Sequence, residues 1–125
     1  MEQRSLTKTF QEYLTAVKAR DLHALQAYLT QGDTLPFVDG GGTLRLSMAE
    51  YLTAQERWFA DTSWTYESEV VSCQEYEETG IIIDRTAIHS NRNGQVSTFH
   101  MMVTYVFRKE GGQWRLVTDI CTAIA

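Results

Sequence analysis

The apolar residues of this chain change period near Ser63, and that switch limits the folds open to it more than any other feature. Before it they recur every three or four residues, as one face of a helix requires; after it they alternate with polar residues, as a half-buried strand requires. Leu6, Phe10, Tyr13, Leu14 and Val17 form one stripe and predict a helix over about residues 3–19. Asp21 is placed to cap a short second helix carrying Leu22, Leu25, Tyr28 and Leu29, with Gly32 as its stop. An extended piece, "TLPFVD", and the glycine run Gly40–Gly42 lead to a third helix. Ser47 and Glu50 have the spacing of a capping box at its start, and Tyr51, Leu52, Gln55, Trp58 and Phe59 share one side of it.

Four extended runs follow, over about residues 63–77, 81–90, 95–109 and 113–124, parted by "TG", "NRNG" and "EGG". Helices first and strands later predict an α+β domain, an antiparallel sheet covered on one face by about three N-terminal helices. A chain of 125 residues fits one domain, 1–125, with one core. Its 43% hydrophobic content and single proline exclude a disordered or Pro-rich segment.

Two-residue turns at Asn93-Gly94 and Gly111-Gly112 would set the register. Ile88 then faces Phe99, Asp84 faces Val103, Phe107 faces Leu116, Tyr105 faces Thr118 and Val103 faces Ile120. One sheet face is aromatic and belongs under the helices. The other carries Ile81, Ile83, Met102, Val106, Val117 and Cys121, too apolar a set for open water, together with Arg85, His100 and Asp119. This second face is expected to join two copies of the chain, with Arg85 and Asp119 pairing across or beside a twofold axis; the other reading of Arg85, His100 and Asp119 is a second site. A three-residue loop would invert part of this assignment.

Asp84 stands out because the register sets it on the aromatic face, where loss of water would raise its pKa, as a general base requires. The other reading is a carboxylate held by a neighbouring hydroxyl such as Thr86. Asp39, in "FVDGGG", is either a proton acceptor at a pocket mouth or a turn residue. Tyr13, Trp58 and Tyr105 join apolar bodies to polar handles, which suits an aromatic ligand or ordinary core packing. Gln55, polar on an apolar stripe, is placed either to orient a ligand or to lie exposed on the helix flank.

Several classes are disfavoured. A net charge of −5 with scattered basic residues argues against nucleic acid. Charges every few residues at the N-terminus, and no run near the length of a membrane span, predict a soluble cytoplasmic protein without a membrane partner. His23, His89 and His100 lack metal-binding spacing, and no phosphate loop or dinucleotide fingerprint follows a strand, so neither metal nor cofactor is expected. Cys73 and Cys121 lie three strands apart in this topology and are expected to be free thiols.

The segments "YLTAVKARDLHALQAYLTQGDTLPFVDGGG", "SWTYE" and "VTYVFRKEGGQWRLVTD" resemble SnoaL-like proteins of the NTF2-like superfamily over nearly the whole chain. The resemblance implies a cone-shaped α+β barrel, a strongly curved sheet wrapped round the helices with a pocket at the wide end, usually as a homodimer joined through the convex sheet. The superfamily includes ketosteroid isomerases, polyketide cyclases, dehydratases and epoxide hydrolases beside members that only bind or assemble. Its isomerase-like members place a carboxylate and phenol-type donors in the pocket, and Tyr13 and Asp39 are nearest by location. The histidine that many relatives carry on the final strand is missing, since the positions after Trp114 read Leu116, Thr118 and Ile120.

The candidate catalytic residues are therefore Asp84, Asp39 and Tyr13, and the candidate ligand-binding residues Tyr51, Gln55, Trp58, Tyr105 and Thr118. The function expected is binding of a small apolar or aromatic compound, with cofactor-independent isomerisation or cyclisation of an apolar carbonyl compound by a pocket carboxylate. The alternative is a non-catalytic ligand-binding or dimerisation module.

Overall fold

The computed structural model describes residues 5–124. Among them, three helices and six strands run in the order α1 (Leu6–Lys18), α2 (Leu22–Gln26), β1 (Thr34–Val38), β2 (Leu44–Ser47), α3 (Met48–Ala60), β3 (Trp64–Glu75), β4 (Thr79–Arg92), β5 (Gln95–Glu110) and β6 (Gln113–Ile124). The caps do what their side chains allow. Ser5 accepts from the Lys8 amide, Asp21 from the Ala24 amide, and Ser47 and Glu50 form a reciprocal capping box at α3. No described helix is long and apolar enough to cross a membrane.

The strands form one curved, open sheet in the order β2-β1-β6-β5-β4-β3, antiparallel except for the parallel pair β1–β6. Both expected hairpin turns are present, with φ of 53° and 79° at Asn93-Gly94 and 60° and 81° at Gly111-Gly112. Positive φ at both central residues suits the right-handed strand twist. The sheet's concave face packs on α1, where the Phe10 and Tyr13 rings meet Tyr105 and Phe107 at centroid distances of 4.9–6.3 Å. Trp114 is buried, as are Ile82 and Leu116.

Three local expectations are corrected. The second helix stops at Gln26 and not at Gly32, because β6 takes the backbone that a longer helix would need: the Leu116 amide donates to Tyr28 and the Thr30 amide donates to Leu116. Thr79-Gly80 lies inside β4, the turn being the segment before it, closed by the Tyr76 amide on Thr79. Gly80 is needed for approach, since a Cβ there would sit 2.4 Å from a Leu6 methyl of α1. The strand β2 was not anticipated; none of its residues is buried, so its sequence carries no alternation.

The fourth correction governs the site. The pairs Ile88–Phe99, Asp84–Val103 and Phe107–Leu116 form as expected, but the β5–β6 register shifts between Val106 and Phe107. Val117 is an extra residue, a β-bulge, so Tyr105 faces Asp119 and Val103 faces Cys121. Beyond it every side chain on β6 exchanges faces: Asp119 and Cys121 turn inward, and Thr118 and Ile120 turn outward.

Candidate functional site

A cavity of about 230 Å³ opens between α1, α3 and the concave sheet. From α1 come Tyr13 and Val17, and from α3 come Ala54, Gln55 and Trp58. Sheet residues Tyr66, Ile88, Phe99, Met101, Val103, Tyr105, Asp119 and Cys121 form its floor, and Phe37, Asp39 and Gly40 one rim. Apolar and aromatic side chains dominate, with few polar groups among them, as in sites that hold a small organic molecule. Its volume lies below the range of about 300–1,000 Å³ typical of drug-sized ligands.

Asp119 is the buried carboxylate of this cavity, only 7% exposed. Burial pushes its pKa up from an ordinary 3.8 to about 7, against the opposing pull of a hydrogen bond from Tyr51. The Tyr51 hydroxyl is also 2.9 Å from that of Tyr13, so a buried Tyr13–Tyr51–Asp119 chain links α1, α3 and β6. Burial holds both phenols well above their ordinary 10, with nearby Asp119 adding to the effect. The Cys121 thiol is likewise pushed up to about 12 by burial, which leaves it a neutral wall group.

Asp84 anchors a second chain. It is fully buried, with its pKa raised by desolvation, and accepts from Ser68 at 2.5 Å and Thr86 at 2.8 Å. Thr86 lies 3.4 Å from the Tyr66 hydroxyl, which lies 3.2 Å from that of Tyr105. Asp84 does not line the cavity, and both of its oxygens are engaged by the serine and threonine hydroxyls.

The remaining candidates fall in three groups. Tyr13, Gln55, Trp58 and Tyr105 come together on the lining, and Tyr51 stands one hydrogen bond behind it. Asp39 is on the rim, but one of its oxygens accepts from the Gly41 and Thr43 amides at 3.0 Å each, turn chemistry that commits it to the β1–β2 connection. Thr118 is outside: the bulge turns it away, and its hydroxyl donates to the Pro36 carbonyl. The bulge also parts the expected Arg85–Asp119 pair, and Arg85 instead binds Glu69 at 2.7 Å on the convex face. Asp119 had been expected on the other sheet face, and Tyr66 had not been singled out. Tyr66 was legible from the alternation of Trp64, Tyr66 and Ser68, whereas Asp119 depended on the bulge.

Trp58 is fixed from behind. Its ring stacks on Trp64 at 4.2 Å, and the Arg20 guanidinium covers Trp64 at 3.9 Å. The Trp64 indole N–H donates to the Trp58 carbonyl at 2.8 Å. A rigid aromatic wall is thereby presented to the cavity.

Comparison with known proteins places these features. The SnoaL-like domain family matches residues 6–119. A ketosteroid isomerase-like protein from Erwinia carotovora atroseptica superposes with TM-score 0.79 at 17% identity, over 96% of this chain and 94% of that one. An NTF2-like superfamily protein from Salmonella enterica serovar Typhimurium gives 0.80 at 14% identity, over 96% and 89%. The S. rosetta CaMKII hub gives 0.76 at 16% identity, over 95% and 94%. At these identities the likeness is one of fold. No curated protein sequence matches.

Proposed function

From the premise that the chain belongs to the SnoaL-like domain family of the NTF2-like superfamily, we propose that it binds a small one- or two-ring carbonyl compound and moves a proton on it without a cofactor. The supporting observation is Asp119, a carboxylate buried in the cavity, hydrogen-bonded by Tyr51 and poised near pH 7. A base with that pKa is ionised in useful amount at neutral pH and still strong enough to accept a proton from carbon. Isomerase-type or cyclase-type chemistry then divides among named groups. The ring stacks on Trp58, the Gln55 amide donates to the carbonyl oxygen, and Asp119 takes the proton from the adjacent carbon. The C–H electron pair becomes the C=C bond of the enolate, and the carbonyl electrons move to oxygen. Return of the proton from Asp119 to a different carbon completes an isomerisation; attack of the enolate carbon on a second carbonyl of the same molecule, whose oxygen takes the C=O π electrons and then the proton back from Asp119, completes a ring closure.

The experiment is deuterium exchange at the carbon beside the carbonyl in a panel of cyclic ketones and diketones, followed by NMR. Wild-type protein should accelerate exchange with a rate that rises to a plateau through about pH 7, and Asp119→Asn should lower it by about 10²–10⁴-fold. Equal rates for the two proteins, or no acceleration across a panel that binds, would instead favour the non-catalytic reading, a ligand-binding or assembly module like the hub whose fold it shares. The partly exposed Ile81, Ile83, Met102, Val106 and Val117, joined by exposed Ile120, support a homodimer through the convex face. Free Cys73 and Cys121 suit a reducing, cytoplasmic setting.

A further inference from the structure

The hydroxyls around the cavity can be assigned proton by proton. Thr86 donates its single proton to Asp84 at 2.8 Å, and Ser68 donates to the other oxygen at 2.5 Å. The Tyr66–Thr86 contact must then use the proton of Tyr66, and the Tyr66–Tyr105 contact that of Tyr105. Three contacts consume three protons. Any other assignment sets two oxygen lone pairs against each other in a partly buried place, which costs a hydrogen bond. The wall formed by Tyr66 and Tyr105 is therefore left with lone pairs and no free O–H, although two phenols would ordinarily count as donors.

We propose that the substrate carries a hydroxyl or amino group that donates to Tyr105, so that among ring carbonyl compounds those that also bear such a donor are preferred. This deepens the reading given above and rests on its small-molecule cavity. The carbonyl of such a substrate is turned away from the Tyr66–Tyr105 wall toward Gln55 of α3, which carries amide donors on the cavity lining. Tyr105 is thus a specificity-determining residue, and Thr86 and Asp84 act through it as positioning residues. Their part is to keep every proton of the chain pointing inward, away from the ligand.

The test is calorimetric binding of two matched probes, 5-indanol and its methyl ether 5-methoxyindane, which differ in possessing a donor. Wild-type protein should bind the indanol about tenfold more tightly, the worth of one buried hydrogen bond. Tyr105→Phe should bring the ratio near one. Thr86→Val frees one proton, letting Tyr66 and Tyr105 turn outward, so the ether gains affinity relative to the indanol; a merely structural role for Thr86 would weaken both probes alike. Circular dichroism confirms that each variant is folded. Equal affinity of the two probes for the wild type, failure of both to bind, or a preference that survives in Tyr105→Phe would overturn the proposal. The ratio is a binding measurement, so it decides this point even if Asp119 proves to move no proton.

Discussion

Asp119 is destabilising in the form that would do chemistry. Its folded pKa of about 7 lies above its ordinary 3.8, so the native state binds the proton more tightly than the unfolded chain does. Stability from this group is fully present at low pH, falls as pH rises from about 4 through about 7, and is lost above that, to an extent of at most about 4 kcal/mol. Asp119→Asn should therefore raise the urea midpoint at pH 8 and leave it nearly unchanged at pH 4. A gain of the same size at both pH values would mean that ionisation is not its source. Asp84, also raised by desolvation, is held by two hydroxyl donors instead of one. Its burial was legible from the alternation of β4, and its partner Thr86 was named from the sequence, because both lie on one strand face two residues apart. Its second partner was not legible, because Ser68 comes from another strand.

Elements were readable in proportion to how local their causes are. The capping box of α3 involves residues three apart, and the two hairpin turns rest on Asn-Gly and Gly-Gly pairs; all three formed as expected. The bulge on β6 has no such cause. Val117 and Thr118 are ordinary strand residues with no glycine to mark a break, and the face of Asp119 is settled by β6 pairing with β5 on one side and β1 on the other. Two variants test this scale. Thr118→Val removes the bond to Pro36 and should cost about 1 kcal/mol of stability while leaving affinity for 5-indanol unchanged; a tenfold loss of affinity would put Thr118 back in the cavity. Ser47→Ala should cost about 1 kcal/mol, read from a urea titration, because α3 loses an acceptor for its first-turn amides.

At the level of the molecule, the sequence conveyed an α+β domain with helices on one sheet face, and the sheet came out open, with β2 and β3 as its edges. What the convex face does with its partly exposed isoleucines and valines is a question of partners. The proposed homodimer should bury more than about 1,000 Å² in total, and Val106→Asp should split it by setting a charge in the contact. Light scattering decides: a monomeric wild type, or a variant that stays dimeric, would remove this face from the assembly. The strand order carries one more consequence. β6 is the last strand in sequence but lies in the middle of the sheet, between β1 and β5, so the β1–β2 hairpin has no sheet to join until β6 is in place. Contacts between residues as far apart in the chain as Phe37 and Asp119 are slow to close, and folding should be correspondingly late in assembling the cavity floor. A cavity complete enough to hold a ligand should therefore require β6 in place, because Asp119 and Cys121 of its lining come from that strand.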